Sequence, residues 1–66
     1  MQVTVNGAEQ RVPQPFNVSE LVGLLELKKE RVAIELNRSL VPRGQWDSTF
    51  LNQGDLVEIV HFVGGG

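Results

Sequence analysis

The stretch that decides the fold is LVEIVHFVGGG, residues 56–66. Its first eight residues are rich in β-branched and aromatic side chains, and they are apolar on both faces except at Glu58 and His61. Such a run is typical of a strand near the middle of a sheet, where both faces are covered. The pattern therefore predicts a long, central final strand that runs directly into the three glycines at residues 64–66.

The N-terminal segment predicts a β-hairpin. Residues 1–5 alternate apolar and polar side chains, which indicates a strand with one buried face. Asn6-Gly7 follows at once and favours a type I′ turn, because both residues tolerate positive φ. Residues 8–12 are expected to return as the antiparallel partner, until Pro13 and Pro15 end the ladder.

The next segment predicts one amphipathic helix that covers a sheet face. Asn17 and Glu20 have the spacing of a capping box, and Phe16 is placed to act as its hydrophobic staple. Gly23 has two interpretations: a weak point that costs about 1 kcal/mol relative to alanine, or a point of close approach to the sheet. The apolar positions of the helix are Val18, Leu21, Val22, Leu24, Leu25 and Leu27.

Two further strands and an irregular crossover are expected after the helix. Residues 32–36 alternate as a strand, residues 37–39 have turn chemistry, and residues 40–42 resume a short strand. Residues 43–53 have no sustained period and predict irregular chain with a helical turn, before Gly54-Asp55 turns the chain again. The expected anchors of this crossover are Trp46, Phe50 and Leu51. Besides these, the predicted core contains Leu21, Leu24, Leu25, Ile34, Val57 and Ile59.

This order of elements is the plan of an α+β fold of the β-grasp, or ubiquitin-like, type, in which a mixed sheet packs on one helix. A chain of 66 residues holds one domain at most, so we expect residues 1–66 to form a single β-grasp domain. Glycine pays the largest ordering entropy and fills no core, so residues 64–66 are expected to project as a flexible tail.

Composition narrows the classes of function. The net charge of −2 and the pI near 5.2 provide no basic surface for nucleic acid, and no apolar run approaches the length of a membrane span. We expect a cytoplasmic protein with neither partner. The chain has no cysteine, no tyrosine and one histidine, so it lacks the residues for disulfides, thiolate sites, most metal clusters or a histidine-centred triad. We therefore expect no metal site, no stably bound cofactor, no catalytic residues and no enzymatic activity of its own.

The terminal glycines have two interpretations. A tail without side chains can pass through a narrow channel into a partner's active site, where the α-carboxylate of Gly66 would meet a nucleotide. The alternative is a frayed end without function. The first interpretation makes Gly64, Gly65 and Gly66 the tail that enters partner active sites.

Several short motifs follow one another along the chain in a specific order: Leu36-Asn37, Leu40-Val41-Pro42-Arg43, Gln45-Trp46, Gly54-Asp55 and Gly65-Gly66. Together they resemble the ThiS family of sulfur carriers in thiamine biosynthesis, and the resemblance spans essentially the whole chain. Two features depart from the expected pattern: Gly64, which lengthens the tail, and Gly23 within the helix.

The resemblance implies a β-grasp carrier that acts as a co-substrate. It implies that Gly66 is adenylated by a ThiF-like adenylating enzyme that uses ATP, and is then converted to a thiocarboxylate with sulfur from a donor enzyme. The thiocarboxylate would pass its sulfur to a ThiG-like thiazole synthase. A carrier without cysteine must hold sulfur on its terminal carboxyl group. A sulfur carrier of the molybdopterin type and a ubiquitin-like protein modifier remain the alternatives.

Individual residues near the final strand are open to more than one interpretation. Val60 and Phe62 are expected on the sheet face away from the helix, either as an apolar docking patch for a partner or as residues covered by the chain at 46–51. His61 is interpreted as a half-exposed sheet residue, and Arg43 and Trp46 as structural. Asp47, Asp55 and Glu58 are interpreted as solvated or turn-forming, although their acidity would also steer docking to a basic enzyme.

Overall fold

The computed structural model describes residues 1–63, and the predicted tail at residues 64–66 lies outside the described residues. The strands are β1 (Gln2–Val5), β2 (Ala8–Arg11), β3 (Val32–Leu36), β4 (Ser39–Val41) and β5 (Leu56–His61). One α-helix, α1 (Val18–Leu24), follows β2, and two 3-10 segments occupy Lys29–Arg31 and Arg43–Ser48.

The five strands form one mixed sheet in the order β2-β1-β5-β3-β4. β5 lies in the centre, parallel to β1 and antiparallel to β3, while β1–β2 and β3–β4 are antiparallel pairs. β5 ends at His61, before the glycines, and only its face toward α1 is buried, so the predictions of its length and of two covered faces are wrong. The prediction that the final strand is central is confirmed. So is the fold class, an α+β β-grasp in which a mixed sheet packs on one helix.

Two tight turns join the antiparallel pairs, and both place residues at positive φ. Asn6 and Gly7 have φ of 47° and 83°, as the predicted type I′ turn requires. Asn37 and Arg38 have φ of 50° and 73° in the turn between β3 and β4. The turn predictions are confirmed at both places.

The start of α1 is the predicted capping box. The Asn17 side chain accepts a hydrogen bond from the Glu20 N–H at 2.8 Å, and the Glu20 carboxylate accepts one from the Asn17 N–H at 2.9 Å. Phe16, the predicted staple, is buried in the same core as Leu21. These bonds satisfy backbone donors that the first helical turn leaves without intrahelical partners.

The end of α1 differs from the prediction, because the helix stops at Leu24 although apolar spacing continues to Leu27. Glu26 takes the left-handed conformation with φ 57°. The N–H of Leu27 then donates to Val22 O and that of Glu26 to Gly23 O, which is the bonding pattern of a Schellman motif. The usual glycine is absent from the left-handed position, so the sequence carried no signal for this end.

Two core predictions are wrong. Leu24 is 52% exposed, because it points away from the helix face that Val18, Leu21 and Val22 bury. Phe50 is 51% exposed beside an isolated bridge to Asn17. Gly23 is also exposed, and a Cβ built on it would meet no atom within 4 Å. Its interpretation as a point of close approach to the sheet is therefore wrong.

The core lies between α1, the 3-10 segment Arg43–Ser48 and one face of the sheet. Leu21, Ile34, Val57 and Ile59 are buried as predicted, while Leu25 and Leu27 are partly buried against them. Trp46 is buried, and its indole N–H donates to Val41 O at 2.9 Å. The crossover is therefore fixed to the sheet edge by Trp46 and by the buried Leu51, as predicted. No helix within residues 1–63 is long and apolar enough to cross a membrane.

Candidate functional site

The candidate site is the C-terminal end of β5, from which the chain continues to the three glycines. β5 pairs with β3 from Val57 to His61, and the Phe62 N–H extends this ladder by donating to Arg31 O at 2.9 Å. The predicted site residues Gly64, Gly65 and Gly66 lie outside the described residues. The structure therefore locates the strand that leads to them.

On its other side, β5 is held by β1 only at its beginning. The parallel register joins Thr4 to Leu56 and Val5 to Val57, and the Asn6 N–H then donates to Val57 O at 2.9 Å. The side chain of Asn6 pairs with the next β5 residue that faces β1, Ile59. Its Oδ1 accepts from the Ile59 N–H at 2.7 Å and its Nδ2 donates to Ile59 O at 3.2 Å. The Asn6 side-chain amide thus makes the two hydrogen bonds that the backbone of a neighbouring strand would otherwise make to Ile59.

A second asparagine fixes the beginning of β5. The Asn37 side chain accepts from the Leu56 N–H at 2.9 Å and donates to the Asp55 carboxylate at 3.1 Å. That carboxylate also accepts from the Asn52 N–H at 2.7 Å, so Asp55 closes the turn before the strand. Asp55 is buried, and its interpretation as a turn-forming residue is confirmed. β5 is consequently held by side chains from both neighbouring turns.

An apolar patch lies on the sheet face opposite α1, next to the end of β5. We define it as Ala33, Leu40, Val60 and Phe62. Ala33 is the cross-strand partner of Val60, and Leu40 is exposed on β4. Val60 and Phe62 are 49% and 53% exposed, so the alternative that residues 46–51 cover them is wrong.

A shallow groove borders the apolar patch and reaches the crossover. Phe62 lines it together with Pro42, Arg43 and Trp46. The Arg43 guanidinium lies over the Trp46 ring, 5.6 Å from its centroid, and donates to Val32 O at 3.4 Å. Both residues have the structural role predicted for them.

Two carboxylates lie directly beside the apolar patch. Glu35 and Glu58 are cross-strand partners, and Glu58 is exposed. Like charges that face each other across a sheet destabilise it, so this pair lowers the stability of the domain when no partner is bound. Asp47, by contrast, is engaged within the fold, since its carboxylate accepts a hydrogen bond from the Ser19 hydroxyl.

The described residues offer an apolar surface and backbone hydrogen-bonding groups for contact with other molecules. Within residues 1–63 there is no group of three or more histidine, aspartate or glutamate side chains placed to hold a metal ion. His61 is exposed on β5, opposite Val32. The exposure of Val60 and Phe62 is one of the two alternatives that the sequence left open, and the predicted tail lies outside the described residues. The second role of Asn6 was not predicted. Its partner Ile59 is 53 residues away, so no local pattern signals the contact.

Comparison with known proteins places this arrangement in a family. The family model described as "ThiS family" matches residues 2–66. A crystal structure of the thiamine biosynthesis protein ThiS from Geobacter metallireducens is 39% identical, with a TM-score of 0.86 and full coverage of both chains.

Two curated proteins extend the comparison. The sulfur carrier protein ThiS of Bacillus subtilis is 33% identical over 49 residues, which cover 74% of each chain. A thiazole synthase from Paramagnetospirillum magneticum is 36% identical over all 66 residues, and this chain spans 20% of that longer protein. Fold, family model and relatives agree, and the chain therefore belongs to the ThiS family of sulfur carrier proteins.

Proposed function

We propose that this chain carries sulfur for the formation of the thiazole ring of thiamine, as a thiocarboxylate on Gly66. The observation that carries the proposal is the family match, which runs through residue 66 and so includes the terminal glycine. In this proposal residues 1–66 act as one domain. Its body is the recognised surface, and Gly64, Gly65 and Gly66 are the tail that enters each partner's active site.

The absence of cysteine supports the Gly66 carboxyl carbon as the atom to which sulfur is attached. Sulfur carried covalently needs either a thiol or an acyl group, and this chain has no thiol. The Gly66 carboxyl group provides the acyl carbon at the end of a segment without side chains. The chain itself is then a co-substrate, and the catalytic groups belong to its partners.

The proposed reaction has two steps. A Gly66 carboxylate oxygen first attacks the α-phosphorus of ATP, so that an acyl-adenylate forms and pyrophosphate leaves. Hydrosulfide supplied by a sulfur donor enzyme then attacks the carbonyl carbon. The new C–S bond forms as the C–O bond to AMP breaks, and AMP leaves with the electron pair. One carboxylate oxygen ends on AMP, one sulfur takes its place, and no redox change is needed.

The proposed partners follow from these steps. A ThiF-like adenylating enzyme supplies the ATP site, so that this chain needs no bound cofactor, and we place the reaction in the cytoplasm, where ATP is available. A ThiG-like thiazole synthase receives the sulfur. The presence of a segment similar to this whole chain within a thiazole synthase supports that pairing.

The apolar patch and the Glu35–Glu58 pair are the proposed docking surface for the body of the carrier. Half-exposed Val60 and Phe62 provide apolar area that a partner would remove from water. The facing carboxylates favour a partner with basic side chains at the edge of the interface, because a cation there would relieve their repulsion.

Intact-mass spectrometry tests the proposal. The chain ending at Gly66 is incubated with ATP, Mg²⁺, the adenylating enzyme of the same organism and sulfide. We expect a mass gain equal to the difference between sulfur and oxygen, dependent on ATP. A matched chain that ends in a Gly66 carboxamide keeps its length but loses the carboxylate, and we expect it to remain unchanged. Linkage to a lysine of another protein would instead identify a modifier, and an unchanged mass would overturn the carrier proposal.

A further inference from the structure

The backbone of β5 has an open edge next to the tail. The donations from Asn37 N–H to Leu56 O and from Phe62 N–H to Arg31 O identify the residues of β5 whose backbone groups face β3. In an antiparallel ladder these alternate with residues whose groups face the opposite side. Val57, Ile59 and His61 therefore direct their N–H and C=O groups toward the β1 side.

Within residues 1–63, only Val57 and Ile59 have partners on that side. Val57 is paired by β1 and Asn6, and Ile59 by the Asn6 side chain. β1 has already turned into the hairpin at Asn6-Gly7, so among residues 1–63 no strand continues beside His61. On the β3 side the ladder continues to Phe62. The last residue of β5 is thus an edge on one side of an otherwise central strand.

This edge has the properties that permit strand addition. The free N–H and C=O of His61 form a template for an extended peptide, since such peptides bind sheet edges through main-chain hydrogen bonds. His61 is exposed, so this position is accessible to a partner. Four residues separate His61 from Gly66 in the sequence, so a segment bound here is close in sequence to the predicted tail.

We propose that an extended segment of the adenylating enzyme adds to the sheet beside His61, and that this strand pairing directs the tail into the ATP site. The inference rests on the proposed function, which makes that enzyme the protein that must accept the unmodified Gly66 carboxylate. Asn6 ends the internal ladder at Ile59 and leaves the next position for the partner. Recognition of the tail thereby begins on the backbone of the folded domain.

Two variants at one position separate the backbone from the side chain. His61→Pro and His61→Ala both remove the imidazole, but only proline removes the N–H. Proline is tolerated where the N–H of a strand faces solvent, so both variants are expected to fold with similar melting temperatures. We expect kcat/KM for adenylation to be about tenfold lower for His61→Pro than for His61→Ala, since one main-chain bond is lost and a partner carbonyl is left unsatisfied.

Amide hydrogen exchange on the unmodified chain tests the strand pairing at His61 without any substitution. It remains a test of this pairing if the His61→Pro variant fails to fold. The His61 amide is expected to exchange fast in the free protein and at least about tenfold more slowly in the complex, because a hydrogen-bonded amide must open before it exchanges. Equal kcat/KM for two folded variants, or an unprotected His61 amide in the complex, would overturn the strand pairing. If the unmodified chain were adenylated normally in either case, the proposed function would stand; if it were not adenylated at all, the proposed function itself would fail.

Discussion

Asn6 and Asn37 each serve a turn and a strand at the same time. Both have positive φ, which asparagine tolerates better than most residues, and both turn their side-chain amides toward the backbone of β5. The turns were predictable because their signal is local. The contacts with β5 were not, since they depend on how the sheet brings distant segments together.

Asn6→Gly tests the contact with β5 at the residue scale. Glycine keeps the positive φ of the turn but loses both hydrogen bonds to Ile59, so we expect stability to fall by about 1–2 kcal/mol. Arg38→Gly is the matched control, because Arg38 also has positive φ in a turn. It is expected to be neutral or stabilising, since glycine removes a steric cost. Chemical denaturation of the two variants measures the difference, and equal losses would show that the Asn6 amide contributes nothing.

At the scale of elements, α1 shows which helix signals are local. The capping box was predictable from Asn17 and Glu20, because both partners lie within one turn. The C-terminal end was not predictable, because Glu26 occupies the left-handed position where glycine is usual. Leu25 and Leu27 follow the last helical residue, Leu24, and continue the helical spacing, yet they are partly buried from irregular chain. Periodicity alone therefore overestimated the helix and misplaced Leu24.

Gly23→Ala is expected to stabilise the protein by about 0.5–1 kcal/mol, because alanine loses less entropy in a helix and meets no atom here. Gly7→Ala is the control: its site is equally open, but its φ of 83° strains any residue with a Cβ. We expect Gly7→Ala to destabilise the protein. Thermal melting of both variants gives the comparison, and a loss of stability for Gly23→Ala would contradict the exposed position of this glycine.

The role of β5 in docking is tested by substitution of Phe62 in the apolar patch. Phe62→Ala removes half-exposed area near the tail, and we expect affinity for the adenylating enzyme to fall about tenfold, as for a central interface aromatic. Leu56→Ala, on the same face at the other end of β5 and 46% exposed, is the matched control and is expected to change affinity less than about twofold. Calorimetric titration separates them. Equal effects would place the interface elsewhere.

At the scale of the whole molecule, the β-grasp sheet places its final strand, Leu56–His61, in the centre. The central strand and the mixed sheet were predictable because residues 56–63 are strongly β-prone. The tail at residues 64–66 stays a prediction. The open edge at His61 was not predictable, because it depends on where β1 ends relative to β5. In the proposed function, the body of the carrier holds the Gly66 carboxylate for its partners, which supply the catalytic groups.

The position of sulfur on the chain tests the central claim most directly. The chain is incubated with ATP, the adenylating enzyme and sulfide, and the modified protein is fragmented in the mass spectrometer. We expect every fragment that contains Gly66 to carry the oxygen-to-sulfur mass difference, and every fragment that ends before Gly66 to lack it. Sulfur on any fragment without Gly66, or a modified chain whose Gly66 fragments are unchanged, would contradict the account.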